Sequence, residues 1–129
     1  MGNPVIWHKQ TCSTSRWVLG VLRDAGLAPV VRDYIADPPS GTELRDVLAR
    51  LGLDARGLIR RKGTPFAELG LADPGLSEDA LIAAMVAHPI LIERPVVLAS
   101  HGAILCRPKE RVFDLFPRAQ QVWSQRQGS

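Results

Sequence analysis

The amino-acid sequence predicts an α/β sandwich: a mixed four-stranded sheet with flanking helices and a helical insert between a βαβ half and a ββα half. Three observations predict it. Residues 4–35 read as strand, helix, strand, so close together that the two strands pair in parallel through a right-handed crossover. Residues 95–116 read as two short apolar runs around a turn, then a helix. Between them, residues 40–88 carry helical periodicity and turn signals.

Each element has its own signal. Pro4-Val5-Ile6-Trp7 is a short buried strand. Trp17, Val18, Val21, Leu22 and Ala25 recur at helical spacing, and Gly26 stops that helix. Residues 28–35 are rich in β-formers and give the second strand. Asp37-Pro38-Pro39-Ser40 breaks the chain. Ser40 and Glu43 then form a capping box ahead of Leu44, Val47, Leu48 and Leu51, a helix closed by Gly52. Residues 54–71 are less regular and predict two short helices around Lys62-Gly63. Ser77 caps the next helix, with Leu81, Ile82, Met85 and Val86 on its apolar face and Pro89 closing it. Residues 95–100 and 103–106 form a hairpin around His101-Gly102. Pro108 suits the first turn of a helix carrying Val112, Phe113, Leu115 and Phe116, which Pro117 ends. One domain is expected over residues 1–117, with its helical insert at about 40–88. Residues 118–129 are a polar tail with little to bury except Trp123.

Composition narrows the function. Of 129 residues 46% are hydrophobic and 22% charged, which suits a globular core rather than disorder. Sixteen basic side chains against 13 acidic ones leave a net charge of +3, mixed along the chain. No clustered basic face or nucleic-acid motif accompanies it, so no nucleic-acid partner is expected. No apolar run is long enough to cross a bilayer, and no signal-peptide core is present; no membrane partner is expected. Two cysteines are too few for a disulfide scaffold or a Cys-rich zinc site, so both thiols are expected free in a reducing cytoplasm, with no metal.

The informative stretch is Trp7-His8-Lys9-Gln10-Thr11-Cys12-Ser13-Thr14-Ser15-Arg16, between the first strand and the first helix. A cysteine at a helix start meets unpaired N–H groups and the positive end of the helix dipole. Both bias a thiol toward thiolate, the nucleophilic form. Cys12 is therefore the candidate nucleophile. Ser13 and Ser15 either support the thiolate by hydrogen bonding or cap the helix. Cys106 lies in an apolar run and reads as a small buried hydrophobe. His88 and His101 read as helix-end and turn residues.

Four separated pieces then line up: His8-x-x-x-Cys12-Ser13-Thr14-Ser15-Arg16, Leu58-Ile59-Arg60-Arg61-Lys62, His88-Pro89-Ile90-Leu91-Ile92-Glu93-Arg94-Pro95, and Leu105-Cys106-Arg107-Pro108. With Tyr34 and Pro38-Pro39, the chain from about residue 3 to 117 resembles the glutaredoxin-coupled arsenate reductase family. That resemblance implies a thioredoxin-like fold with a helical insert and a cis peptide before Pro95. It implies reduction of arsenate to arsenite, phosphate and sulfate being mimics of the substrate. Cys12 matches the family's nucleophile and His8 a histidine that helps keep the thiol pKa low. Arg60, Arg94 and Arg107 match its anion-binding arginines, although Arg56 and Arg61 stand close to Arg60. Glutathione is the implied co-substrate and glutaredoxin the implied partner, with no bound cofactor. The chemistry agrees: three always-charged forks of donors suit a tetrahedral oxyanion and the charge that moves during displacement.

The sequence also departs from the family pattern. Lys9 and Gln10 replace a more usual Asn-Pro pair, and Ser13 stands where Gly or Asn is common. Competing chemistries are weighed on single positions. A cysteine phosphatase, or the arsenate reductase built on that fold, needs C-x5-R, and position 18 is Val. A dithiol oxidoreductase needs C-x-x-C, and position 15 is Ser. The alternatives left are a glutathione-dependent thiol oxidoreductase of the same fold without efficient arsenate reduction, and a non-enzymatic Spx-type regulator that binds RNA polymerase.

Overall fold

The structure is a computed structural model and describes residues 3–128. It divides into two compact units. One joins residues 1–33 to 94–129, and the other is the intervening Tyr34–Glu93.

The first unit is built on a mixed four-stranded sheet. β1 (Val5–His8) runs parallel to β2 (Val30–Asp33) and antiparallel to β3 (Val96–Ala99), which pairs antiparallel with β4 (Gly102–Leu105), giving the order β2-β1-β3-β4. α1 (Ser13–Asp24) makes the crossover from β1 to β2. It ends because Gly26, at φ 86, turns the chain left-handed. The Gly26 and Leu27 amides then bond back to the carbonyls of Arg23 and Leu22, a Schellman closure that satisfies orphan carbonyls. Leu27 turns inward beside Val18, Val21, Leu22, Ile6, Val97 and Ile104, the core between α1 and the sheet.

Two elements here differ from expectation. β2 is only Val30–Asp33, half the length expected, since the chain leaves the sheet at Tyr34. The hairpin turn is Ser100-His101, one residue earlier than expected, because Gly102 already belongs to β4. After β4 comes a 3-10 turn (Lys109–Arg111), then α5 (Val112–Leu115) and α6 (Pro117–Gly128). Pro108 precedes the 3-10 turn rather than opening an α-helix. Pro117 ends α5 but also begins α6, so the polar C-terminal stretch is helical. Its Trp123 packs edge-on against Trp17 at 6.0 Å and tilted against Phe113 at 5.8 Å between ring centres, while Ala119 is buried in the core.

The second unit is helical: α2 (Gly41–Leu51), α3 (Ala55–Leu58) and α4 (Glu78–Ala87). Ser40, Asp54 and Ser77 cap them, each side-chain oxygen accepting the amide three residues on. Leu44, Val47 and Leu48 of α2, at i, i+3, i+4, and Leu81, Ile82 and Met85 of α4, at i, i+1, i+4, are buried, each set a stripe on one side of its helix. Val86 is 37% exposed and falls outside that stripe. The second short helix expected after Lys62-Gly63 is absent. Gly63 and Gly70 both take left-handed φ values, and only one turn fits between them, closed by Leu69 N–H to the Pro65 carbonyl at 2.9 Å. A bridge between Ile59 and Ile92 ties the middle of this unit to its end, and the Tyr34 hydroxyl, from its other end, donates to the Ile92 carbonyl at 3.1 Å.

Among the described residues no helix is long and apolar enough to cross a membrane. No group of three or more His, Cys, Asp or Glu among them could hold a metal ion.

Candidate active site

Cys12 is the N-cap of α1, with extended backbone (φ −92°, ψ 117°), and its carbonyl accepts the first helical bond from Arg16 N–H. Its sulfur therefore faces the orphan amides of the first turn. The thiol is half-buried. Burial alone would raise its pKa. The Ser15 backbone N–H, a hydrogen bond from the Arg94 side chain and the charges of Arg107 and Arg94 outweigh that, so the thiol titrates below its ordinary value. Arg107 Nη2 stands 3.7 Å from Sγ.

The two arginines arrive by one device. The β3–β4 ladder pairs Val96 with Leu105 and Val97 with Ile104. Continued outward, the same register sets Pro95 opposite Cys106 and Arg94 opposite Arg107. The Cys106 amide donates to the Pro95 carbonyl at 3.0 Å, and Arg107 Nε donates to the Arg94 carbonyl at 2.9 Å. The open end of one hairpin thus presents both guanidinia. Arg94 is only 8% exposed, and its side chain donates a hydrogen bond to the Cys12 sulfur, a partner of the kind a buried guanidinium needs. The peptide before Pro95 is cis, and so is the one before Pro108.

His8 is buried at the end of β1. Its Nδ1 lies 2.6 Å from Ser15 Oγ and its Nε2 2.7 Å from Gln10 Oε1. Among the described residues His8 meets the thiol through Ser15, whose own amide faces Cys12. Ser15 is fully buried; it does not cap α1, whose N-cap is Cys12 with no side-chain cap bond, and it reaches the Cys12 sulfur through its backbone amide. Gln10 is the site residue that sequence reasoning passed over as a mere departure in the loop.

Arg60 lies in the second unit. Its amide donates to the Leu91 carbonyl at 2.7 Å, its Nη1 pairs with Glu93 Oε1 at 2.8 Å and its Nε donates to the Lys62 carbonyl at 3.0 Å. Its neighbours are otherwise engaged: Arg56 donates to the carbonyls of Leu71 and Asp73, and Arg61 lies over the Phe66 ring. Cys106 is a contrast to Cys12. It is buried in the core, and burial pushes its thiol up to about 12, Arg111 opposing and Asp114 adding to the rise.

Residues 7–115 match the model of the ArsC family. The chain belongs to the ArsC family. A curated relative from Rhizobium meliloti (strain 1021), named arsenate reductase, is 52% identical over 112 residues, 87% of this chain and 80% of that one. An Escherichia coli arsenate reductase is 44% identical over 122 residues, 95% of this chain and 86% of its own. Among solved structures, a putative arsenate reductase from Yersinia pestis superposes with a TM-score of 0.82 at 40% identity, covering 87% of this chain and 99% of that one. The arsenate reductase from Vibrio cholerae superposes equally well, at 0.82 and 44% identity, over 86% and 95% of the two chains. The sheet order and flanking helices of this ArsC-family chain are those of the thioredoxin-like fold of these neighbours.

Proposed function

We propose that this ArsC-family chain is an oxidoreductase that reduces arsenate to arsenite with Cys12 as nucleophile. The observation that carries the proposal is a thiol of lowered pKa facing two guanidinia, in a chain whose relatives are named arsenate reductase. A thiolate with two adjacent cations suits an anionic electrophile and stabilises the charge that shifts during attack.

The steps balance as follows. Cys12 Sγ attacks As(V), and one arsenate oxygen leaves as water once protonated, giving a thiol–arsenate ester. A glutathione sulfur joins Cys12 Sγ in a mixed disulfide, and the electron pair so released reduces As(V) to As(III), which departs as arsenite. A glutaredoxin thiolate then attacks the glutathione sulfur and returns Cys12 as thiolate. Arg94 and Arg107 hold the oxyanion. Arg60 joins them on the strength of the sequence resemblance. Because position 15 is Ser, the reductant must come from outside the loop, which favours glutathione and glutaredoxin. His8 and Ser15 support the thiolate, and the reducing cytoplasm is the compartment in which this cycle turns over. The test is arsenite production from arsenate with glutathione and glutaredoxin, beside Cys12→Ser. Turnover in the wild type and none in the variant is expected. No arsenite above background in the wild type would overturn the reading and leave a thiol oxidoreductase of the same fold.

A further inference from the structure

We propose that Gln10 is a positioning residue for the nucleophile: by accepting the Nε2 hydrogen of His8 it holds the imidazole in the orientation that receives the Ser15 hydroxyl, in the first turn of the helix that starts at Cys12. The assignment follows from hydrogen-bond accounting. Ser15 Oγ is buried and accepts the Lys9 amide at 3.2 Å. Among the described residues its other partner is His8 Nδ1 at 2.6 Å. A buried hydroxyl hydrogen needs an acceptor, so the hydroxyl donates to Nδ1. That leaves the imidazole hydrogen on Nε2, where Gln10 Oε1 accepts it at 2.7 Å. The chain of donors thus runs from Ser15 to His8 to Gln10, with His8 neutral.

Gln10 is itself held in place. Arg16 Nη1, from the first turn of α1, donates to the Gln10 carbonyl at 2.7 Å, and Lys9 Nζ donates to Thr11 Oγ1 beside it. The loop is thereby closed onto the helix that carries Cys12 and Ser15. Gln10 Oε1 thus supplies an outer contact of the kind that orients imidazole rings. The charged groups facing this cluster are Arg94 and Arg107 at the thiol, Lys9 and Arg16 in the loop and first turn, and Asp33, which stands opposite His8 across β1 and β2.

The proposal rests on Cys12 being the nucleophile of the proposed function, but its test needs no arsenate, so the two fail separately. Nitrogen-15 correlation spectra of the His8 ring distinguish the Nε2–H tautomer from the Nδ1–H tautomer, and iodoacetamide alkylation against pH reads the Cys12 thiolate. Gln10 is exposed, so its variants keep the fold, checked by circular dichroism. The wild type is expected as the Nε2–H tautomer. Gln10→Leu, of similar reach but without an acceptor, should strip the Nε2 hydrogen of its partner, read as faster exchange of that hydrogen with water. It should also slow Cys12 alkylation below its midpoint by roughly threefold. Gln10→Glu restores the acceptor and should restore the slow exchange of the Nε2 hydrogen. A wild-type Nδ1–H tautomer, or a Gln10→Leu variant with unchanged Nε2–H exchange or unchanged Cys12 alkylation, overturns the proposal.

Discussion

Burial raises the pKa of both cysteines, but at Cys12 the Ser15 amide and two guanidinia reverse the effect, whereas at Cys106 Arg111 alone opposes it. The difference has opposite consequences for stability. Cys12, depressed in the folded state, contributes stability above the unfolded thiol pKa and loses it as pH falls through the folded value. Cys106 contributes below the unfolded value of about 8.5 and loses that contribution as pH rises toward about 12. Removing Cys106 as Cys106→Ala should therefore cost most near neutrality. In denaturant titrations the gap to wild type should narrow by up to about 1.4 kcal/mol per pH unit above pH ~9. Parallel curves would show that Cys106 ionises as readily folded as unfolded. At Arg94 the expected effect is on binding: Arg94→Ala should weaken sulfate or arsenate by about tenfold or more while the thermal midpoint moves far less. Equal losses would return Arg94 to a structural role. The approach of Arg94 and Arg107 to Cys12 was legible only through the family resemblance, since an arginine in a sequence does not reveal its partner. The passage from Gln10 through His8 to Ser15 was not, because it depends on how residues 9–12, between β1 and α1, close back on a helix.

Among elements, α6 is where pattern reading fell short. Its sequence is polar, with Ala119 and Trp123 as the main apolar positions that reach the core, too few to mark a helical stripe. One aromatic cluster suffices to dock it: Trp123, Phe113 and Trp17 within about 6 Å of each other, with Lys109 Nζ 5.3 Å from the Trp17 ring. Trp123→Ala should destabilise by about 2–3 kcal/mol and shift the emission of Trp17, read by urea unfolding and fluorescence. A loss within about 0.5 kcal/mol would mean that α6 is held by its backbone junction instead. The helices capped by Ser40 and Ser77 were the legible elements, since each serine bonds the amide three residues on; the Asp54 cap of α3 lay in the stretch read as irregular. The turn between Gly63 and Gly70 was misread as helix because its residues suit one, while the left-handed glycines at each end leave room for a single turn.

For the whole molecule, the division into two units separates two questions that the family resemblance had merged. The groups that lower the Cys12 pKa, Ser15, Arg94 and Arg107, belong to the same unit as the thiol. Arg60 belongs to the other, paired with Glu93. Arg60→Ala should then leave the Cys12 titration where it is while reducing turnover of arsenate by about tenfold. A displaced thiol titration would mean that Arg60 acts on Cys12 itself, and unchanged turnover would remove it from the proposed oxyanion site. The fold class was legible because a βαβ run, a helical stretch and a ββα run admit few arrangements. The pairing of Arg94 with Arg107 was nearly so. It follows from the hairpin register once the turn is placed at Ser100-His101, and a turn placed one residue later hides it.

That register makes the β3–β4 hairpin a ruler. The two arginines are set opposite each other by counting residues along two arms, and the Arg107 Nε bond to the Arg94 carbonyl holds them there. Adding or deleting one residue in either arm would shift one arginine out of opposition and turn the residues beyond it to the other face of the sheet. Extra residues at the Ser100-His101 tip would leave the ladder untouched. Length variation in a charge-pairing hairpin of this kind is therefore permitted at its tip and forbidden in its arms.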